Sequence, residues 1–301
     1  MKILVTGGSG FVGREILRQL AGLPHTIRVL ARQPTALRGV EVHRGNILNP
    51  GSLAGALDNI DAVIHLVGII SEVGANTFES VHTESTRNMV SAAQKAGVRR
   101  FIQMSALGVR PNAVSRYHRS KWAAEEIIRQ SGLTWTIFRP SIIYGREDLF
   151  VNLFARMSRF SPILPVIGSG ASKLQPIPVE DVAACFVGAI TEPRSFNQTY
   201  DLCGPERLGF VQVLDTILSV THRRRLKLHI PLGVARLQAA LLEFIFPKLL
   251  GKAPPLNRDQ LIMLQEDNIG NPDAANQLFG LKPISFREGI ERYLIPVGAG
   301  Q

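Results

Sequence analysis

The stretch Lys2-Ile3-Leu4-Val5-Thr6-Gly7-Gly8-Ser9-Gly10-Phe11-Val12-Gly13 decides the fold. Ile3, Leu4, Val5 and Thr6 make the short continuous apolar or β-favouring run expected of a strand covered on both faces. Glycines follow at once, with Gly7, Gly10 and Gly13 in G-x-x-G-x-x-G spacing. A turn this tight needs positive φ, and a pyrophosphate can approach the backbone only where no side chain intervenes. The helical pattern Phe11–Leu20 comes next, so strand, turn and helix stand in the order a dinucleotide site requires. Gly7, Gly10, Phe11, Val12 and Gly13 are therefore expected at the cofactor.

Further strands are expected at Thr26–Ala31, Glu41–Arg44, residues 61–66, Arg100–Met104 and residues 134–138, alternating with helices at residues 78–96 and around residue 120. Such alternation implies an α/β fold with a doubly wound parallel sheet, whose ligands lie beyond the carboxyl ends of the strands. In an NAD site an acidic residue at the end of the second strand holds the ribose 2′-hydroxyl. Between Glu15 and Glu41 there is no acid, while Arg28, Arg32 and Arg38 fall there. Arg32 directly follows the strand, where a guanidinium grips a 2′-phosphate bidentately, so NADP(H) is favoured over NAD(H). Asn46 and Ile47 follow the third strand and Val67 and Gly68 the fourth, which places them along the cofactor. His65 reads as a strand-end or core histidine. Pro140 lies in the loop after the sixth strand, on the nicotinamide side.

The whole chain has 301 residues, 45% of them hydrophobic, enough for a sizeable core. Its 34 Lys and Arg against 24 Asp and Glu give a net charge of +10, which suits a phosphate-bearing cofactor or an anionic membrane surface; no nucleic-acid partner is expected. Two cysteines exclude a disulfide framework and, with a chain that enters its first strand at once, point to a reducing, cytoplasmic setting. There is no internal repeat and no metal-ligand cluster. The βα alternation ends near residue 147, so residues 1–147 read as the Rossmann unit and 148–301 as a smaller, mainly helical substrate or partner region, with residues 176–204 returning to the sheet through a strand at Gln198–Leu202. The segment SPILPVIGSG, residues 161–170, reads as a pocket wall, and residues 257–269 as helical. Arg223, Arg224 and Arg225 precede an apolar segment at residues 232–250, a pattern that fits a surface peripheral to the inner face of a membrane or, alternatively, a diphosphate-binding or solvated cluster.

Tyr117 and Lys121 are spaced i, i+4 and share a helix face. An ammonium within about 4–6 Å favours a phenolate, which makes proton transfer by tyrosine feasible. With TGGSGFVG and RPSIIYG at residues 139–145, this pair resembles the short-chain dehydrogenase/reductase superfamily in its extended or atypical branch. QPIPVEDVA, YDLCGPE and NRDQLIMLQEDN are similar to the NADPH-binding accessory subunit of respiratory complex I and its bacterial relatives. The resemblance implies an oxidoreductase acting on a carbonyl, hydroxyl or quinone-related small molecule, with Tyr117 as acid/base, Lys121 on the nicotinamide ribose and Ser105 steadying the carbonyl. The family's longer hydroxyl run is here MSALG, which leaves Ser115 as a second candidate. It also implies two alternatives: a nucleotide-sugar epimerase or reductase, and a non-catalytic NADPH-holding accessory protein of a membrane respiratory complex.

Overall fold

A computed structural model describes residues 1–33 and 39–294; Arg38, counted above among the arginines, lies outside them. Six strands, β1 (Lys2–Thr6), β2 (Thr26–Ala31), β3 (Glu41–Arg44), β4 (Ala62–His65), β5 (Arg100–Met104) and β6 (Thr134–Pro140), join Gln198–Leu202 in one sheet. The order is Gln198–Leu202, β6, β5, β4, β1, β2, β3, and every pairing is parallel. Ile3, Leu4 and Val5 in central β1 are wholly buried, which is why the run is continuous rather than alternating.

Helices α1 (Phe11–Leu20) and α5 (Val179–Gly188) cover one face, and α2 (Ser85–Lys95) and α3 (Arg116–Arg129) the other. Arg100 is buried in β5 and donates to the Ala189 and Thr134 carbonyls and to Thr136 Oγ1, tying the end of α5 to the sheet. A π-helical turn, Glu79–Glu84, runs without a break into α2. Thr86 is buried and donates to the His82 carbonyl, while Asn88 donates to that of Ile47.

Beyond residue 148 lie α4 (Val151–Phe160), α6 (Phe210–Val220), α7 (Leu232–Ile245), α8 (Arg258–Met263), α9 (Asp273–Phe279) and α10 (Phe286–Leu294). A separate apolar cluster built from Leu164, Val166, Phe210, Leu214 and Phe286 holds α4, α6 and α10 together. The region is less uniformly helical than expected. Ile163–Ile167 and Leu226–Ile230 pair in parallel, and residues 257–269 keep only the six-residue α8. That chain leaves the helix because Asp267 accepts from the Lys173 amide at 2.8 Å and the Asn268 amide donates to the Lys173 carbonyl at 2.7 Å.

Two arginines of the triplet are held within the fold. Arg223 donates to Ala155 O and Ser158 Oγ, and Arg225 to Ser158 O, so both close the carboxyl end of α4, where cations suit the free carbonyls. Their guanidinium groups are therefore engaged, and neither a diphosphate nor a lipid headgroup is their first partner.

Candidate functional site

Gly7, at φ +75°, turns the chain out of β1. Its carbonyl accepts from the Gly10 amide at 3.0 Å, and Gly10 opens α1 in extended conformation. A Cβ on Gly13 would stand 2.2 Å from the Gly7 carbonyl oxygen, so only glycine lets the helix press against the turn. The amides of Phe11, Val12 and Gly13 begin α1 and have no carbonyl one turn earlier, which makes this helix start an anion site. Phe11 and Val12 would contribute there through their backbone, because the Val12 side chain is in the core and the Phe11 ring lies 3.1 Å from where a Gly145 Cβ would be.

A cavity of about 810 Å³ opens along the carboxyl ends of the central strands. Gly7, Arg32, Asn46, Ile47, Val67 and Gly68 line it, together with Ser9 and Arg44. Volume, glycine cradle and helix start fit a dinucleotide. At its adenosine end the register places Ala31 beside Arg44, so the two strands present Arg32 and Arg44 together. Asn46 Oδ1 accepts from the Leu48 amide and fixes the loop that bears it. Arg28 does not take part: it is buried and donates to the Gly55 and Ala56 carbonyls and to Glu41. Hydrogen bonds from Arg28 and then Lys2 hold the Glu41 carboxyl down at about 2, at the opposite end of the strands from the cavity.

At the other end, α3 brings Lys121 to the edge of the groove, with Tyr117 one turn before it. Lys121 Nζ donates to the Met104 carbonyl at 3.0 Å and lies 3.1 Å from where a Gly68 Cβ would be, so Gly68 is the wall that the ammonium touches. Burial pushes Lys121 down to about 8. Tyr117 sits edge-on against His82, His118 and Phe78, with ring centroids 5.2, 5.5 and 5.8 Å away. Burial, then the Asp259 carboxylate, push its phenol up to about 12. This reverses the expected lowering by Lys121: a desolvated phenolate beside an acid is disfavoured.

The two hydroxyl candidates point elsewhere. Ser105 is buried and donates to Glu125 Oε1 at 2.5 Å. Ser115 caps α3 by accepting from the His118 amide and donates to Asp259 Oδ2 at 2.7 Å. Pro140 is buried and lies outside the cavity lining; its carbonyl accepts from the Leu107 amide. His65 is a core histidine as expected, hydrogen-bonded to Thr6 and pushed down to about 3 by burial.

Three supporting residues escaped the sequence reading. His82, in the π-helical turn, accepts from the Ile69 amide through Nε2 at 3.0 Å and bonds Ser120 Oγ through Nδ1 at 2.8 Å, and burial holds it neutral at about 2. It thus fixes the Gly68–Ile69 backbone against α3. Glu125, fully buried, receives Ser105, Arg129 and Arg139, and Asp259 in α8 receives the Arg116 and Tyr117 amides. Glu125 was legible in principle, since it continues Tyr117 and Lys121 at i+8, whereas nothing local to Asp259 signals a contact more than a hundred residues away.

Sheet, glycine turn and cavity define a nicotinamide-dinucleotide-binding protein of oxidoreductase-type α/β fold. Residues 7–193 match the NAD(P)H-binding family, and the chain belongs to it. A relative from Arabidopsis thaliana, mitochondrial NADH dehydrogenase (ubiquinone) 1 alpha subcomplex subunit 9, is 28% identical over 285 residues, 90% of this chain and 71% of the relative. A ceramide reductase from Caulobacter vibrioides is 33% identical over 196 residues, 64% of this chain and 61% of the relative, so the chain spans less than two thirds of that protein. Among solved structures, UDP-glucose 4-epimerase from Thermotoga maritima matches with a TM-score of 0.76 at 19% identity, covering 98% of this chain and 97% of that one. That likeness is one of fold. In sequence the chain is thus similar to the NADH dehydrogenase (ubiquinone) subunit, and in fold to the epimerase.

Proposed function

We propose that this protein is an NADP(H)-dependent reductase of short-chain type, acting on a carbonyl or quinone-related substrate, with residues 1–147 and 176–204 holding the nucleotide and the remainder the substrate. The observation that carries the proposal is Tyr117 and Lys121 on one face of α3, with Lys121 against the Gly68 wall of the nucleotide groove. A bound nicotinamide dinucleotide would supply the hydride. Tyr117 would give its phenolic proton to the substrate oxygen, and Lys121 would hold the nicotinamide ribose and offset charge as the proton leaves. A phenol held up at about 12 is protonated at neutral pH, which favours reduction over oxidation. The ceramide reductase among the relatives supports the same direction.

Tyr117→Phe is expected to remove most turnover, by a factor of about 10²–10⁴, while leaving NADPH affinity nearly unchanged. Reduction by the parent should hold its rate at neutral pH and fall as Lys121, held down at about 8, loses its proton, well before Tyr117 ionises. A Tyr117→Phe protein as active as the parent would overturn the assignment and leave a bound-nucleotide, accessory role as the better account. One observation favours such a role, at a membrane: α7 exposes Val234, Leu237, Leu241 and Phe244 on one face.

A further inference from the structure

A second cavity, of about 360 Å³, lies between α4 and α8 and is mainly apolar. Phe150, Leu153, Phe154, Ile167 and Met263 form its walls. Its polar side chains are nearly all engaged: Glu266 receives both terminal nitrogens of Arg110, Gln260 accepts from the Asn257 amide, and Asn268 accepts from Ser141. His118 differs. It lines the cavity, is 3% exposed, and its Nδ1 has no hydrogen-bond partner among the described residues, lying 3.9 Å from Glu266 Oε2. A buried polar atom left unmatched disfavours the empty site unless a ligand or water satisfies it. His118 is also the neighbour of Tyr117, with rings 5.5 Å apart.

We infer that this cavity binds the apolar chain of an amphiphilic substrate whose polar head hydrogen-bonds at His118, beside Tyr117. The inference rests on the reductase reading and names its substrate class: a carbonyl compound carrying a single extended hydrocarbon chain. An apolar enclosure offers nothing to a sugar or a nucleotide, whose hydroxyls and phosphates would be desolvated there without partners. A hydrocarbon chain gives up no hydrogen bond by entering, and the release of its hydrating water outweighs the freedom it loses.

The test is a titration of the full chain with 2-alkanones of increasing length, run by calorimetry with and without NADP⁺, which blocks turnover. Each added methylene is expected to tighten binding about three- to fourfold until the cavity is full. Leu153→Glu, at a wall position already 38% exposed and so compatible with folding, should flatten that dependence without changing nucleotide affinity. His118→Phe, checked for a native melting transition, should weaken all lengths by a similar factor, about five- to tenfold, and keep the slope. Affinity independent of chain length in the parent, or a slope that survives Leu153→Glu, overturns the inference. Loss of nucleotide binding alongside an intact chain-length series would overturn the reductase reading alone.

Discussion

Arg32 and Arg44 stand side by side at the carboxyl ends of β2 and β3, on the wall of the nucleotide cavity, where no carboxylate among the described residues lines the wall to repel a 2′-phosphate. Their neighbour in sequence, Arg28, shows why charge counting alone misleads, since its guanidinium is used up on backbone carbonyls and Glu41. Arg32→Asp is therefore expected to weaken NADPH by about 1.5–3 kcal/mol, an order of magnitude or more in Kd, and to leave NADH equal or improved. Calorimetry with both nucleotides decides it, and an unchanged NADPH affinity would remove Arg32 from the site. At this scale the sequence was informative where a residue's place follows from its strand position, as for Gly7 and Gly13 at the turn and Arg32 on the cavity wall. It was silent for Arg44, a strand residue whose neighbour across the sheet gives it its place, and misleading for Ser105, whose partner Glu125 comes from the next helix.

Helix α3 is the element on which the site depends. Tyr117, Lys121 and Glu125 repeat every four residues along it, and each is held by a different part of the molecule. Asp259 receives the first amides of the helix, Met104 receives Lys121, and Glu125 gathers Ser105, Arg139 and Arg129. Glu125 is fully buried, whereas the Arg129 and Arg139 side chains are 24% and 20% exposed. Glu125→Gln leaves two guanidinium groups facing a neutral amide. Because both retain some water, the expected loss is about 2–3 kcal/mol, below the range for a fully buried pair. Urea unfolding should show this as a lower midpoint at unchanged slope, and a loss below about 0.5 kcal/mol would mean that the network does not hold α3. Among elements, the parallel strands were legible because burial on both faces writes a continuous apolar run. Leu226–Ile230 was not: it alternates as a strand should, but with Leu226 and Leu228 turned to solvent, opposite to the pattern that burial produces. The helix expected over residues 257–269 was cut short by backbone pairing with Lys173, which no local pattern announces.

The molecule as a whole is strongly basic and exposes an apolar face on α7. Val234, Leu237, Leu241 and Phe244 follow one another at spacings of three, four and three residues, so they form one stripe, and all are more than half exposed. Ala235 and Ala239 are the buried residues of this helix, and Glu243 ties it to α8 by accepting from the Arg258 amide and guanidinium. Arg224, Arg236, Lys248 and Lys252 are exposed around it, and the Lys248 ammonium lies 4.1 Å from the centre of the Phe244 ring. No helix of the described residues is long and apolar enough to cross a membrane, so any contact with a bilayer would be made by such a face lying in the headgroup region. Cations near an anionic surface contribute about 1 kcal/mol each, fading with salt, and the leucines add a part that salt does not screen. The protein is accordingly expected to float with vesicles containing phosphatidylserine at low ionic strength and to be partly released as salt is raised. Leu237→Asp with Leu241→Asp should abolish the residual, salt-resistant binding while leaving the thermal melt unchanged, because neither side chain is part of a core cluster. A parent protein that stays at the bottom of the gradient at low salt would exclude the bilayer as the partner of α7 and leave a protein surface, such as that of a respiratory complex, as the occupant to test by cross-linking through the same face.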